Sequence, residues 1–173
     1  VFNGLPATLE GAAPPPGTRQ IVIYPLQGPT NPALGIFECH ADFQDPTRSY
    51  CIERPESPIV LGAGSRANPS GLDDVEQPPP ASPDAALDPI ADSLMHPVKF
   101  RVLPGGVQSY VSNFTVNDSG QTPTDAATYQ GGVRWMELRR NPVTGAITAN
   151  QEGTYAPGSG NGATGRNLWM ASV

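Results

Sequence analysis

The sequence is poor in several residues on which common functions depend. It has a single lysine and two histidines among 173 residues, and ten basic residues are outnumbered by 16 acidic ones, for a net charge of -6. Nucleic-acid binding is therefore not expected, because phosphate recognition depends on clustered cations. No apolar run approaches the roughly 20 residues of a membrane-spanning helix. The G-x-S-x-G, H-E-x-x-H, C-x-x-C and P-loop signatures do not occur either.

Residues that interrupt regular structure are abundant instead. The 21 prolines and 19 glycines are nearly a quarter of the chain, about double the usual share. Long helices and coiled coils are excluded, because hardly any window of about 15 residues lacks both residue types. Apolar residues still make up 38% and gather in short clusters, which indicates a folded, loop-rich, all-β protein rather than a disordered one.

Several segments have the two-residue alternation of strands. Leu34–Phe43 predicts a half-buried strand, with Phe37 and Cys39 on its apolar face and Glu38 and His40 on its polar face. From Val98 onward, antiparallel strands are expected at spacings of about 12–20 residues, which favours a sandwich, a barrel or propeller blades. Residues 1–16 are expected to form a loop, because glycine and proline recur there.

The two cysteines, Cys39 and Cys51, flank the turn-forming pair Asp45-Pro46. If the chain folds back there, the cysteines lie opposite each other across a hairpin, within reach of a disulfide. A disulfide is the favoured interpretation and indicates an oxidising compartment. The alternative is a pair of buried thiols, as in a reducing cytoplasm.

The segment from about residue 62 to 91 combines many prolines with acidic residues, and we expect it to be an exposed loop excursion. Such loops can hold structural calcium, because carboxylates and carbonyls are its preferred ligands. The candidate groups are Asp73, Asp74 and Glu76, and Asn117, Asp118 and Asp125. Solvated loops are the favoured interpretation, since neither spacing matches the twelve-residue calcium loop.

The last residues, 167–173, have the pattern of a strand that stops without a turn. Such a strand would lack part of its pairing. We therefore expect the chain to be a piece of a longer, processed protein.

Several runs of sequence carry a resemblance. RWMELRRNPVTGAITANQEGTYAP, followed by LWMASV, is similar to an RW-x-E-L/I-R strand, a QxGTYAP motif and an RWM-x-S-(I/V) strand. HADFQDPTRSYC, LDPIADSLMHPVKFR and SYVSNFTVN are similar to further segments in the same order. In this order the runs resemble a family of secreted bacterial β-propeller proteins of uncharacterised function.

The resemblance implies that residues 1–173 form about three antiparallel blades of a β-propeller. Closed propellers typically have four to eight blades, so three blades would be incomplete alone. The implied partners are the remaining blades of the parent propeller or copies of the chain. The implied location is extracytoplasmic, in a bacterium, and no catalytic residue is implied.

Five residues are candidates for a ligand surface, namely Trp135, Glu137, Arg134, His40 and Asp42. Aromatic rings stack on sugars and arginine clamps carboxylates. The expected function is a non-catalytic scaffold or binding surface for a glycan or a protein, without a cofactor. The alternatives are part of a sialidase-like, glycoside-active propeller and a structural subunit of a surface assembly.

Overall fold

The computed structural model describes residues 4–26, 32–62, 75, 87–90, 93–118, 129–157 and 167–172. Over these residues the protein is built from strands without an α-helix, which confirms the all-β prediction. None of the described segments forms a helix that could cross a membrane. The strands are β1 (Leu5–Leu9), β2 (Gln20–Leu26), β3 (Ala33–His40), β4 (Tyr50–Glu53), β5 (Ile59–Val60), β6 (Val98–Val102), β7 (Gln108–Asn117), β8 (Gly131–Arg140) and β9 (Ile147–Tyr155).

All nine strands belong to one sheet with the order β4-β3-β2-β1-β6-β7-β8-β9, and β5 pairs with β3. Strands β1–β4 and β6–β9 form two four-stranded antiparallel meanders. The meanders meet at β1 and β6, which pair in parallel from Ala7 opposite Val98 to Leu9 opposite Phe100. The expectation of purely antiparallel strands is therefore wrong at this one pairing. A parallel pair needs a long connection, and here β2–β5 and the proline-rich segment provide it.

Strand β1 lies within the segment that was expected to be loop. Pro6 cannot donate to a ladder, but in β1 it pairs only with Val22 of β2, while the pairing with β6 begins at Ala7. Pro6, which has no N–H, therefore lies at a position where β1 is paired with β2 but not yet with β6. A proline at such a position is compatible with a central strand, and this position is not visible in the sequence.

The sheet curls into a half-barrel whose two ends approach each other around one core. The Gly62 amide, beyond β5, donates to Glu152 Oε1 on β9 at 2.9 Å. Arg54 Nη2 donates to the Gly145 carbonyl at 2.8 Å, and the Ile147 amide donates to Glu56 Oε1 at 3.2 Å. The core draws on both meanders and contains, among others, Ile21, Ile23, Leu34, Ile36, Leu61, Val98, Tyr110, Phe114, Met136, Leu138 and Ile147.

Strand β3 presents the opposite face to the core from the one expected. Leu34, Ile36 and Glu38 are buried, whereas Phe43 beyond the strand is 94% exposed. Phe37 packs on the outer face, where its ring lies 5.5 Å from that of Tyr24. The inward row therefore begins with aliphatic residues and ends in a carboxylate, because the strand runs from the middle of the core to its charged rim.

The proline-rich segment is described at only a few positions. Val75 is buried and exchanges two backbone hydrogen bonds with Leu87, both of 3.0 Å, so the expected exposure is wrong at Val75. The calcium candidates Asp73, Asp74, Glu76 and Asp125 lie outside the described residues. The extent of the excursion, from about 62 to 91, stays a prediction.

The segment 167–172 is not a strand, contrary to the expectation. The Leu168 amide donates to the Gly131 carbonyl at 3.0 Å, and Asn167 Oδ1 accepts from the Gly131 amide at 2.7 Å. Met170 then has a positive φ of 53°. The extended pairing is interrupted there, because a left-handed residue turns the backbone away from a ladder.

Candidate functional site

Four loops gather at one end of the half-barrel, which we call the loop end. Strands β1, β3, β6 and β8 run in the same direction, because each meander alternates and the two meanders are joined in parallel. The loops that follow these strands, residues 10–19, 41–49, 103–107 and 141–146, therefore lie at the same end. Loops gathered on a rigid sheet are the usual place for binding residues.

A cavity of about 580 Å³ opens at the loop end. Its wall is formed by residues 15–19 of the first loop, by Gly106 and Gln108, and by residues 140–145. Glu38 of β3 contributes the buried carboxylate. The volume lies within the range of about 300–1,000 Å³ that is typical of small-ligand sites.

Glu38 is the centre of a charged cluster in this cavity. Its Oε2 lies 2.8 Å from Arg54 Nη1 and 3.4 Å from Arg140 Nη2, and its Oε1 lies 3.6 Å from Arg19 Nη1. Arg54 also makes two bonds to Glu56, of 2.9 Å and 3.2 Å. Burial raises the pKa of Glu56, but its hydrogen bonds, first among them the one from Arg54, hold that pKa below the usual value.

Two aromatic side chains contact polar residues of the cavity wall. The Arg19 guanidinium lies 5.2 Å above the centre of the Tyr50 ring, a geometry in which the ring stabilises the cation. Tyr110 is buried, and this burial raises the pKa of its phenol to about 12. The Tyr110 hydroxyl therefore keeps its proton and donates to Gln108 Oε1 at 2.8 Å, which fixes the orientation of the Gln108 amide at the cavity wall.

The disulfide predicted between Cys39 and Cys51 is present, with an S–S distance of 2.06 Å. The two residues are directly opposite in the β3–β4 ladder. Asp45 Oδ1 accepts from the Thr47 amide at 3.1 Å and so caps the short turn Pro46–Arg48. The hairpin prediction is therefore confirmed, and the disulfide lies just behind the loop end.

The five candidate residues lie outside the cavity. Arg134 faces inward on β8, where it binds Glu152 and donates to Thr154 Oγ1 at 3.0 Å. Trp135 lies on the other face of β8 and packs over Gly153. A side chain at position 153 would place its Cβ only 3.0 Å from the Trp135 indole nitrogen. A ligand role for Arg134 and Trp135 stays a prediction.

Glu137 is buried on the outer face of β8 within a network of its own. Its carboxylate accepts from Ser109 Oγ at 2.6 Å, Arg139 Nε at 2.8 Å and Asn150 Nδ2 at 2.7 Å. Burial raises the pKa of Glu137, but these three hydrogen bonds outweigh the burial and bring that pKa below its usual value. The arrangement is that of a structural ion pair across three strands.

This lowered pKa makes the stability of the protein sensitive to acid. A carboxyl with a lower pKa when folded stabilises the fold above its unfolded pKa of about 4.3, and that contribution is lost as the pH falls through the folded pKa. Below about pH 4.5, we expect the free energy of unfolding to decrease less steeply with falling pH in Glu137→Gln than in the wild type. Urea titrations of both proteins at a series of pH values measure this, and parallel curves would contradict the assignment.

His40 and Asp42 make their closest recorded contacts with different residues. The His40 ring lies 5.6 Å from that of Tyr50. Asp42 accepts from the amides of Gln44 and Asp45, both at 3.0 Å, and these bonds lower its pKa. In the part of the chain that the structure describes, no group of three His, Cys, Asp or Glu side chains is placed to hold a metal.

Comparisons of the chain with protein-family models, with curated proteins and with solved structures find no match. The cavity residue Arg19, and Arg54, which binds Glu38, were not among the predicted site residues, and Glu38 was assigned to the outer face of β3. The one available signal was the row Leu34, Ile36 and Glu38, whose alternation continues the buried face into a carboxylate.

Proposed function

We propose that the protein is a non-catalytic binding module that takes a glycan in the cavity at the loop end. The observation that carries this proposal is the cavity itself, whose charged and polar lining includes side chains held at the ends of strands. Arg140 and Gln108 come from strand ends rather than from loop tips. Groups held in this way are already ordered before binding, so less entropy is lost when a ligand enters.

The chemistry of the wall suits a sugar. Sugar hydroxyls need both donors and acceptors, and Gln108, Asn141 and Thr144 supply amide and hydroxyl groups. The rings of Pro15, Pro16 and Pro142 give apolar surface, against which the C–H faces of a pyranose ring can pack. A ligand with both characters fits this wall better than a purely apolar one.

We also propose that the chain is part of a β-propeller and that it has the partners that such a fold requires. Each of the two meanders has the strand connectivity of a propeller blade, which supports a relationship to the propeller family that the sequence resembles. The proposed partners are the remaining blades of such a propeller or copies of this chain. We also propose an extracytoplasmic, bacterial location, with which the Cys39–Cys51 disulfide is compatible.

Binding without turnover is favoured over glycoside hydrolysis. Most glycosidases place two carboxyl groups about 5–9.5 Å apart on either side of the bond they cleave. Among the described residues that line the cavity, Glu38 is the only acid, and three arginines surround it. Glu137, the acid considered for the sialidase-like alternative, lies outside the cavity lining.

A pair of tryptophan variants tests the proposal. Thr144→Trp places a large ring in the cavity wall, whereas Thr148→Trp adds the same ring at an exposed position on β9. On a glycan array we expect the wild type and Thr148→Trp to bind a common set of glycans, and Thr144→Trp to lose at least about tenfold in affinity. No glycan should be cleaved. Equal binding by both variants, or product release by the wild type, would overturn the proposal.

A further inference from the structure

The charges around the cavity do not balance. Three guanidinium groups, of Arg19, Arg54 and Arg140, face two carboxylates, of Glu38 and Glu56. Arg54 is shared between both carboxylates, at 2.8 Å and 2.9 Å. Glu38 is then also the partner of Arg140 and Arg19, at longer distances. Among the described residues of the cluster, three positive charges therefore face two negative ones.

The uncompensated charge lies on the cavity side of the cluster. Arg19 and Arg140 line the cavity, whereas Arg54 does not. The Arg54 side chain is 15% exposed, against 21% for Arg140 and 39% for Arg19. The two arginines with the longer contacts to Glu38 are therefore the ones that a ligand can reach. A partly desolvated cation is attracted more strongly to an anion than one in bulk water.

We propose that the cavity is selective for a singly charged acidic sugar, a hexuronic acid, whose carboxylate binds between Arg19 and Arg140. The inference rests on the proposed glycan-binding function and adds the ligand class. A carboxylate is planar, and guanidinium groups bind it with paired N–H donors. A single negative charge balances the excess in the cluster, whereas a doubly charged group such as a phosphate monoester would reverse it.

The position of Arg19 is well suited to this role. Its guanidinium is held from one side by the Tyr50 ring at 5.2 Å and from another by Glu38 at 3.6 Å. Neither contact is a short bidentate hydrogen bond. The Arg19 guanidinium is therefore not fully engaged by the Glu38 carboxylate and can still donate N–H groups to another one. Arg19 is thus ordered, charged and open to an added anion.

The test compares an acidic with a neutral sugar by calorimetry, using galacturonic acid and galactose. We expect the wild type to bind galacturonic acid about tenfold more tightly than galactose, because the carboxylate adds one charge-assisted hydrogen-bond pair. This preference should weaken as salt rises. Arg19→Gln should remove the preference. Arg48→Gln changes an arginine that is 73% exposed and pairs with Asp42 outside the cavity, and it should keep the preference.

The outcomes separate this inference from the proposed function. Equal affinity for both sugars, or an unchanged preference in Arg19→Gln, would overturn the acidic-sugar inference while glycan binding stands. Tighter binding of a sugar phosphate than of the uronic acid would also overturn it, since the charge argument requires one negative charge. If no sugar binds the wild type, both proposals fail together.

Discussion

Replacing Glu38 by glutamine is expected to lower the free energy of unfolding by about 3 kcal/mol, which is the low end of the cost of breaking a buried ion pair. The Glu38 side chain is 7% exposed and is contacted by three arginines. Arg54 keeps Glu56 and the Gly145 carbonyl as partners in the variant. Arg140 loses its carboxylate while it remains largely buried, and this is the main source of the loss.

The matched control is Glu10→Gln, which also removes a carboxylate that contacts more than one cation. Glu10 binds Lys99 at 2.6 Å and Arg101 at 3.2 Å, but its side chain is 35% exposed. Exposed ion pairs contribute about 0–1 kcal/mol. Urea titrations at neutral pH compare the two variants. Losses of equal size would show that Glu38 is not a buried centre of the fold.

Removing the disulfide is expected to cost a similar amount, about 3 kcal/mol, when both cysteines are changed in Cys39→Ser/Cys51→Ser. The bond closes a loop across a sequence separation of 12 residues, and the chain-entropy relation for a loop of that length gives this value. The expected effect arises in the unfolded chain, because the open loop has more conformations to lose on folding.

Reduction supplies the control for this variant. Cys51 is exposed, so a dithiol reductant should reach the bond in the folded wild type and lower its unfolding midpoint in urea to that of the double variant. The double variant should not respond to the reductant. A wild type that keeps its midpoint after complete reduction, verified by mass, would contradict the entropic assignment.

Local patterns carried the predictions that were confirmed. Cys39 and Cys51 are joined by a short turn with Asp45-Pro46 at its centre, and such a turn places its flanking residues opposite each other whatever surrounds the hairpin. The strands Val98–Val102 and Gly131–Arg140 have alternation and flanking turns that are independent of the rest of the sheet. Predictions of this kind need only residues that are near each other in the sequence.

The errors concern pairings between distant segments. Leu5–Leu9 is too short and too proline-rich to predict a strand, and it becomes one because β2 and β6 hold it from either side. The face of β3 was assigned from the alternation of apolar Phe37 and Cys39 with polar Glu38 and His40, but the curl of the sheet directs Ile36 inward, and Phe43 beyond the strand is exposed. In both cases the deciding contacts come from segments far along the chain.

The amino-acid sequence by itself determined that this protein is built from strands and that a long coiled coil is excluded, and it predicted the disulfide that closes the β3–β4 hairpin. These properties follow from local propensity, turn chemistry and composition, which need no knowledge of the fold. Only the tertiary structure decided that Arg19, Glu38 and Arg140 line one cavity, with Arg54 bound to Glu38. They lie on separate loops and strands, and they come together only because the parallel pairing of β1 with β6 and the curl of the sheet place four loops at one end.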